Sequence, residues 1–483
     1  MKHIFLLITL TIMTISCSSD GADGIDGANG INGTGGNNGL GRLVFSGDIT
    51  NEDAAKIIAE NTGKNTHTLI IKNTTSLTTI DISEISTLVE LEVIGNEELH
   101  TLTIANLESI FGGAKIQTNV ALTSINFSKL TTVGSFSISG SPLLESLSFP
   151  SLIDSKNILS ISNLDNLTTL DLSSLVSANL IQINRNQKLP TIDLPKLTAL
   201  REASISDNIA IETINLPVLK ILEASENEDN DDGLFIGRNT NLIAIYLNVL
   251  TSIDMLTIRN NENLTTINLD KLVSLGSVSF GSNPKITTIS FPNITTIKNI
   301  NFSENDLVTN IAFPDLKTLE SNLTITGNNI LETLSFPMLT SIGTENRYSF
   351  RIRDNMIRNI TFPNLETVNA NTINIGEDLL ETVDFPKLAS FSVLNIDSTV
   401  LLNSVTLSSI QNFERLDLNS SGKLSTAAID GILNRLVNIT PVITNKTIWL
   451  SSKKHIIYYY VFKFHPGSIG SKGYSCYGCH FTG

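Results

Sequence analysis

The apolar positions of this chain fall into one motif copied many times. In the stretch IKNINFSENDLVTNIAFPDLKTL, Ile297 to Leu319, the residues Ile297, Ile300 and Phe302 are followed by Asn305 and Leu307, a spacing of the form L-x-x-L-x-L-x-x-N-x-L. Ile253, Leu256 and Ile258 precede Asn261 in the same phase; Leu275, Val278 and Phe280 precede Asn283; Ile342, Phe350 and Ile352 precede Asn355 after a short insertion. Ile258, Phe280 and Phe302 are 22 residues apart. Alternation within each run has the period of a strand. The longer recurrence is that of one coil in a repeat architecture, where a unit cannot bury its apolar face without neighbours. The expectation is a repeat solenoid, mainly β, of about sixteen coils of ~22 residues over 69–424, with short helical caps at both ends.

Two polar or punctuating columns run with the apolar ones. Asn96, Asn119, Asn186, Asn208, Asn239, Asn261, Asn283, Asn305, Asn328 and Asn355 each stand three residues after the last apolar residue of a strand, where the backbone leaves its ladder. A carboxamide carries both donors and an acceptor, so stacked asparagines can satisfy turn groups on successive coils. The column is expected to be structural, interrupted at Ser141, Leu164, Asp378 and Thr399. The second half of each coil reads L-x-x-I-x-F-P-x-L, with Phe149-Pro150, Phe291-Pro292, Phe313-Pro314 and Phe385-Pro386 in one column. Proline has no hydrogen to donate to a ladder, so the back strand must be short and end near this dipeptide. Hydroxyls at Thr132, Ser252, Thr296, Thr318 and Thr367 are expected to satisfy the corner backbone.

The regions outside the repeat have their own signatures. Residues 1–17, MKHIFLLITLTIMTISC, combine Lys2, an apolar stretch and a terminal cysteine, an export signal rather than a spanning helix. Residues 18–42 keep glycine at every third place from Gly21 to Gly39, a collagen-like period without its proline, which is expected to act as a tether. In 43–68, Thr50-Asn51-Glu52-Asp53 before AAKIIAE reads as a capping box opening a helix over the first coil's open edge. In 425–452, STAAIDGILNRL is a second cap helix with Ser425 as its N-cap, followed by a strand near 445–450. The tail, 453–483, has four Lys and no Asp or Glu against a chain net charge of −15 and is expected to be disordered or an out-of-frame extension.

Candidate chemistry is sparse. Between Ile205 and Ile236 the repeat lengthens around EASENEDNDDG, where Glu228, Asn230, Asp232 and Gly233 match the opening of a calcium loop. Position twelve is then Asn239 in place of Glu, which favours a solvated acidic loop. The insertion GTENRYSFRIRDN gathers Arg347, Tyr348, Arg351 and Arg353, with Arg358 nearby, residue types common as binding anchors. Cys476, Cys479 and His480 have the C-x-x-C-H spacing of c-type haem attachment, with a disulfide or metal-binding tail as the other readings. Only three residues follow, and the second axial ligand would have to be His455 or His465. The repeat region holds His67 and His100 at unrelated positions and no cysteine, a poor basis for an enzyme.

On these motifs, residues from about 69 to 450 resemble extracellular bacterial leucine-rich repeat surface proteins. The F-P half resembles the receptor L-domain variety, while the Ala-Phe and Cys positions of BspA-like repeats are missing. The end of the leader resembles a bacterial lipobox, which implies cleavage before Cys17, lipidation there, and anchoring to the outer membrane or cell surface. Ser18-Ser19-Asp20 is similar to a signal for export to the exterior. The resemblance implies a monomeric rod without cofactor that recognises an extracellular protein or glycan and no nucleic acid. A structural surface-layer or ice-contacting role is the alternative and a haem carrier a lesser one.

Overall fold

The computed structural model describes residues 38–222, 233–345, 347–419, 423–439, 446–452 and 456–462. The chain coils about 17 times at ~22 residues per coil. Each coil gives a longer front stretch, such as Thr132–Ser139 or Asp154–Ser162, and a back strand of two or three residues, such as Ser146–Ser148 or Thr288–Ser290. The front strands join in one sheet whose pairs are parallel until the last, while the back strands form five separate sheets of two to four strands. The back strands stop where the sequence requires. Thr288–Ser290 ends immediately before Phe291-Pro292, and Asn310–Ala312 before Phe313-Pro314.

Register, not sequence length, is what the insertions preserve. Ile205 pairs with Ile236 across the long spacing, and Ile325 with Ile352 across the other. The inward side chains therefore stack by kind. Phe291, Phe313, Phe336 and Phe362 lie ring on ring, with successive centroids 5.0, 5.3 and 5.6 Å apart. All four are fully buried. Offset stacked rings add about 0.5–1.5 kcal/mol per pair beyond the area they bury.

Three sequence expectations change in detail. The apolar residue after the asparagine is buried three positions on, not two: Val308 is enclosed and Leu307 lies outside, 45% exposed. The cause is a tight turn in which Val308 N–H donates to Asn305 O at 3.2 Å, repeated by Leu264 to Asn261 and Leu331 to Asn328. The corner hydroxyls also sit one residue earlier than expected. Thr131, Thr251 and Thr340, rather than Thr132, Ser252 and their equivalents, donate to the carbonyls of Glu108, Lys220 and Lys317. Finally, part of the expected irregular tail is a strand: Ile456–Phe462 pairs antiparallel with Lys446–Ser452, which itself continues the parallel front sheet. Seven consecutive apolar and aromatic residues favour that extended state.

Each end of the coil carries a helix. Helix α1, Asn51–Asn61, begins with Thr50 and Asp53 capping each other's backbone amides. Asn51 Oδ1 accepts the Thr78 and Thr79 amides at 2.9 and 3.1 Å, while Nδ2 donates to Thr78 Oγ1. That side chain occupies the first back strand's free edge, beside which Ala54 and Ile58 are buried. In front of α1, Arg42–Gly47 adds a strand parallel to Thr68–Thr74. At the other end α2, Thr426–Val437, starts at Ser425, whose Oγ accepts Ala428 N–H at 3.1 Å. It buries Ile432 and Leu436 against the last coils.

Candidate binding face and the ladder beneath it

Beneath the front sheet runs a column of buried amides. Asn261 is representative. Its Nδ2 donates to Ile236 O on the preceding coil at 3.1 Å and to Asn283 Oδ1 on the next at 3.2 Å. Its own N–H donates to that same Oδ1 at 3.2 Å. Its Oδ1 in turn accepts the N–H and Nδ2 of Asn239. Every rung thus donates forward and accepts from behind. The pattern begins at Leu164 N–H and runs through Asn186, Asn208, Asn239, Asn261, Asn283, Asn305, Asn328 and Asn355. A shorter run joins Thr74, Asn96 and Asn119. Thr74 was not foreseen as a member, because a hydroxyl in that place breaks the amide pattern.

Immediately before each rung the backbone turns left-handed. Asp207, Arg238, Asn260, Ser282, Glu304 and Asp354 have φ between 54 and 59°, and Gly95, Gly140 and Gly327 serve the same place. Glycine, asparagine and aspartate recur there in the sequence and mark the turn. One coil lacks this residue. The expected interruption at Asp378 is not the ladder position; Glu377 is, directly after Gly376. Its side chain, longer by one methylene than asparagine's, takes the Asn355 N–H on Oε2 at 2.8 Å and Asn355 Nδ2 on Oε1 at 2.7 Å. Asp378 is exposed. Ser141 and Thr399 are buried with hydroxyls that meet no partner, the two places where the column stops.

The outward side of the front sheet changes character along its length. Ser137, Ser160, Gln182 and Ser204 share one column, and Ser139, Ser162, Asn184 and Ser206 share the next. These side chains are short and uncharged. Further on, the first column becomes Arg351, Asn374, Asn395, Asp417 and Trp449 in successive rungs. Arg415 lies over the Trp449 ring, 4.4 Å from its centroid, and pairs with Asp417 at 2.7 Å.

The five candidate anchors do not form one cluster. Arg351 is exposed on the front face. Arg353, expected to be free, is half-buried and committed: it spans two rungs to Asp397, with contacts of 2.6 and 2.9 Å, and donates to Asn374 Oδ1 at 2.6 Å. Gly376 makes that reach available, since a Cβ there would come within 2.7 Å of the Arg353 Cζ. The Arg353 guanidinium holds the Asp397 carboxyl below its ordinary value. Arg347 pairs with Glu345 at 2.9 Å and rests over Tyr348, whose hydroxyl it pulls below the usual phenol range. Arg358 sits past the turn, at the corner leading to the back strand Asn359–Thr361, and pairs with Glu381 at 2.7 Å. Sequence alternation identified Arg351 as outward but could not show that Arg353 has a partner 44 residues away.

A cavity of about 80 Å³ between Ile267, Leu269, Phe280 and Phe291 is far below what a drug-sized ligand fills. Among the described residues no group of three or more His, Cys, Asp or Glu side chains is placed to hold a metal ion. Glu228, Asn230 and Asp232, like Cys17, Cys476, Cys479 and His480, lie outside the described residues.

No family model matches the chain, and no curated protein does. Among solved structures it is similar to the crystal structure of the TLR13-ssRNA13 complex, at 15% identity over 77% of this chain and 72% of that one, with a TM-score of 0.20. At that score the architecture rests on the strand register and core described above.

Proposed function

We propose that this protein is a non-enzymatic binding module, held at the outer cell surface through lipid on Cys17, whose front sheet face docks an extracellular protein or glycan. The observation that supports it most is the face itself. One sheet presents in-register columns of largely polar side chains from Ser137 to Trp449, interrupted by Phe235. An extended regular surface of this kind suits recognition of a large partner by repeated contacts. Arg351 is the anchor on that face. The protein's net charge of −15 disfavours nucleic acid as partner, since phosphates would be repelled.

The test is binding of the purified protein to panels of extracellular proteins and glycans, followed by comparison of two arginine variants. Arg351→Ala should weaken a saturable partner roughly tenfold, the scale of a 1–2 kcal/mol anchor, with an unchanged unfolding midpoint. Arg353→Ala should instead lower the midpoint. Equal affinity for Arg351→Ala and wild type would remove this face from the reading. Radiolabelled palmitate incorporation that survives in the wild type and disappears in Cys17→Ala tests the anchor.

A further inference from the structure

A single exposed apolar side chain calls for no explanation. Phe111 differs in how it is presented. It is 70% exposed, whereas Phe127, Phe136 and Phe149 on the adjoining coils are enclosed. Its front strand, Ser109–Gln117, places two residues, Phe111 and Gly112, between the register partners Ile110 and Gly113. At the same point the preceding strand, Thr87–Ile94, has only Val89, and the following strand, Thr132–Ser139, only Gly134. The extra residue makes a bulge, a device by which a strand re-aims a side chain. Glycines on both sides admit it: a Cβ at Gly112 would come within 2.6 Å of Val89 O, and one at Gly134 within 2.5 Å of Phe111 O. Val89, 48% exposed, is the apolar neighbour on the preceding coil.

The frame around this projection is acidic. Glu90 stands opposite Gly113, two residues beyond Phe111, and Glu108 lies three residues before it. Both are exposed, and neither makes an ion pair among the described residues. Lys115 stands opposite Glu92 in register. From Leu69 to Ser139 the chain holds seven Asp and Glu against three Lys, so the field here repels a second copy of this chain and an anionic lipid surface alike and attracts a cation. An ammonium or guanidinium is the group that an aromatic face and a carboxylate can hold together, and its methylene stem can cover apolar surface such as Val89.

We propose that Phe111, Val89, Glu90 and Glu108 form a second docking point, which takes a basic segment of a partner polypeptide with a Lys or Arg side chain laid across the Phe111 ring. It lies ten rungs, about 48 Å, from Arg351 and stands whether or not Arg351 is an anchor.

A phage-displayed library of random peptides is panned against the purified full chain, and the enriched peptides are synthesised and titrated by fluorescence polarisation. Enriched sequences should join Lys or Arg to an apolar neighbour. Phe111→Ala should weaken them roughly fivefold, with an unchanged unfolding midpoint because the side chain is exposed. Glu90→Gln combined with Glu108→Gln should weaken them as well and flatten the dependence on salt. Arg351→Ala should leave their affinity unchanged, which separates this point from the other end of the sheet. Enrichment of acidic or uncharged peptides, equal affinity for Phe111→Ala and wild type, or no enrichment would overturn the proposal. So would self-association, or binding to phosphatidylethanolamine–phosphatidylglycerol vesicles, that Phe111→Ala abolishes, since the projection would then belong to a second copy or to a membrane.

Discussion

At the scale of single residues, the ladder asparagines carry the largest local stakes. Replacing Asn261 by Leu strips the acceptor from the N–H of Asn239 and the side-chain donor from Ile236 O, while Asn239 Nδ2 keeps Ile205 O and Asn283 Oδ1 keeps the residue-261 N–H. Each buried orphan costs on the order of 1–3 kcal/mol, so a loss of about 3 kcal/mol or more is expected in urea unfolding. The converse change should help. Ser141 follows a left-handed Gly140 and has an unpartnered hydroxyl. Ser141→Asn gives Asn119 a forward acceptor and should raise stability by about 1 kcal/mol, seen as a higher denaturation midpoint. The amide column was readable from spacing alone because its members share one residue type. Glu377 was not, because it follows the strand's last apolar residue, Ile375, by two places where each asparagine follows by three, and counting three places Asp378 there instead. Thr74 escaped for the related reason that a hydroxyl can open a column of amides.

At the scale of elements, α1 is held to the first coil by one polar side chain and a thin apolar face. Asn51→Ala should leave the helix cap at Thr50 intact yet free the Thr78 and Thr79 amides. Amide exchange at these two residues should therefore quicken more than exchange within α1. The front strand Tyr348–Arg353 is tied two rungs ahead through Arg353 and Asp397. Because the guanidinium depresses that carboxyl, the pair stabilises the fold above the ordinary Asp value near 3.8 and the contribution disappears as pH falls through the lowered one. Arg353→Ala should accordingly lower the melting temperature at pH 6 and shrink the further loss on acidification below pH 4. Strand positions, the short back strands and both helices follow from local signals: alternation, Phe-Pro punctuation, and Thr50 or Ser425 ahead of amphipathic turns. What local signals could not supply is pairing across coils. That is why Arg353 reads as a free cation, Leu307 as a core residue, and the corner hydroxyls as lying one place too late.

At the scale of the whole molecule, stacking about 17 rungs at ~4.8 Å gives a body roughly 80 Å long. No coil has enough apolar surface to fold alone, so stability is shared between neighbours. Between Asn186 and Asn355 the two longest spacings between successive ladder asparagines, 31 residues from Asn208 to Asn239 and 27 from Asn328 to Asn355, leave the column continuous. The strand register is kept across both spacings. The forward direction of the ladder has a bearing on how such a gene can lengthen. A duplicated unit spliced anywhere between Asn186 and Asn355 arrives with a donor facing ahead and an acceptor facing behind, and the hydrogen count closes at once. Spliced directly after Glu377, the same unit would meet a carboxyl group that has a hydrogen to give only when protonated, so there the count does not close as it does in the interior.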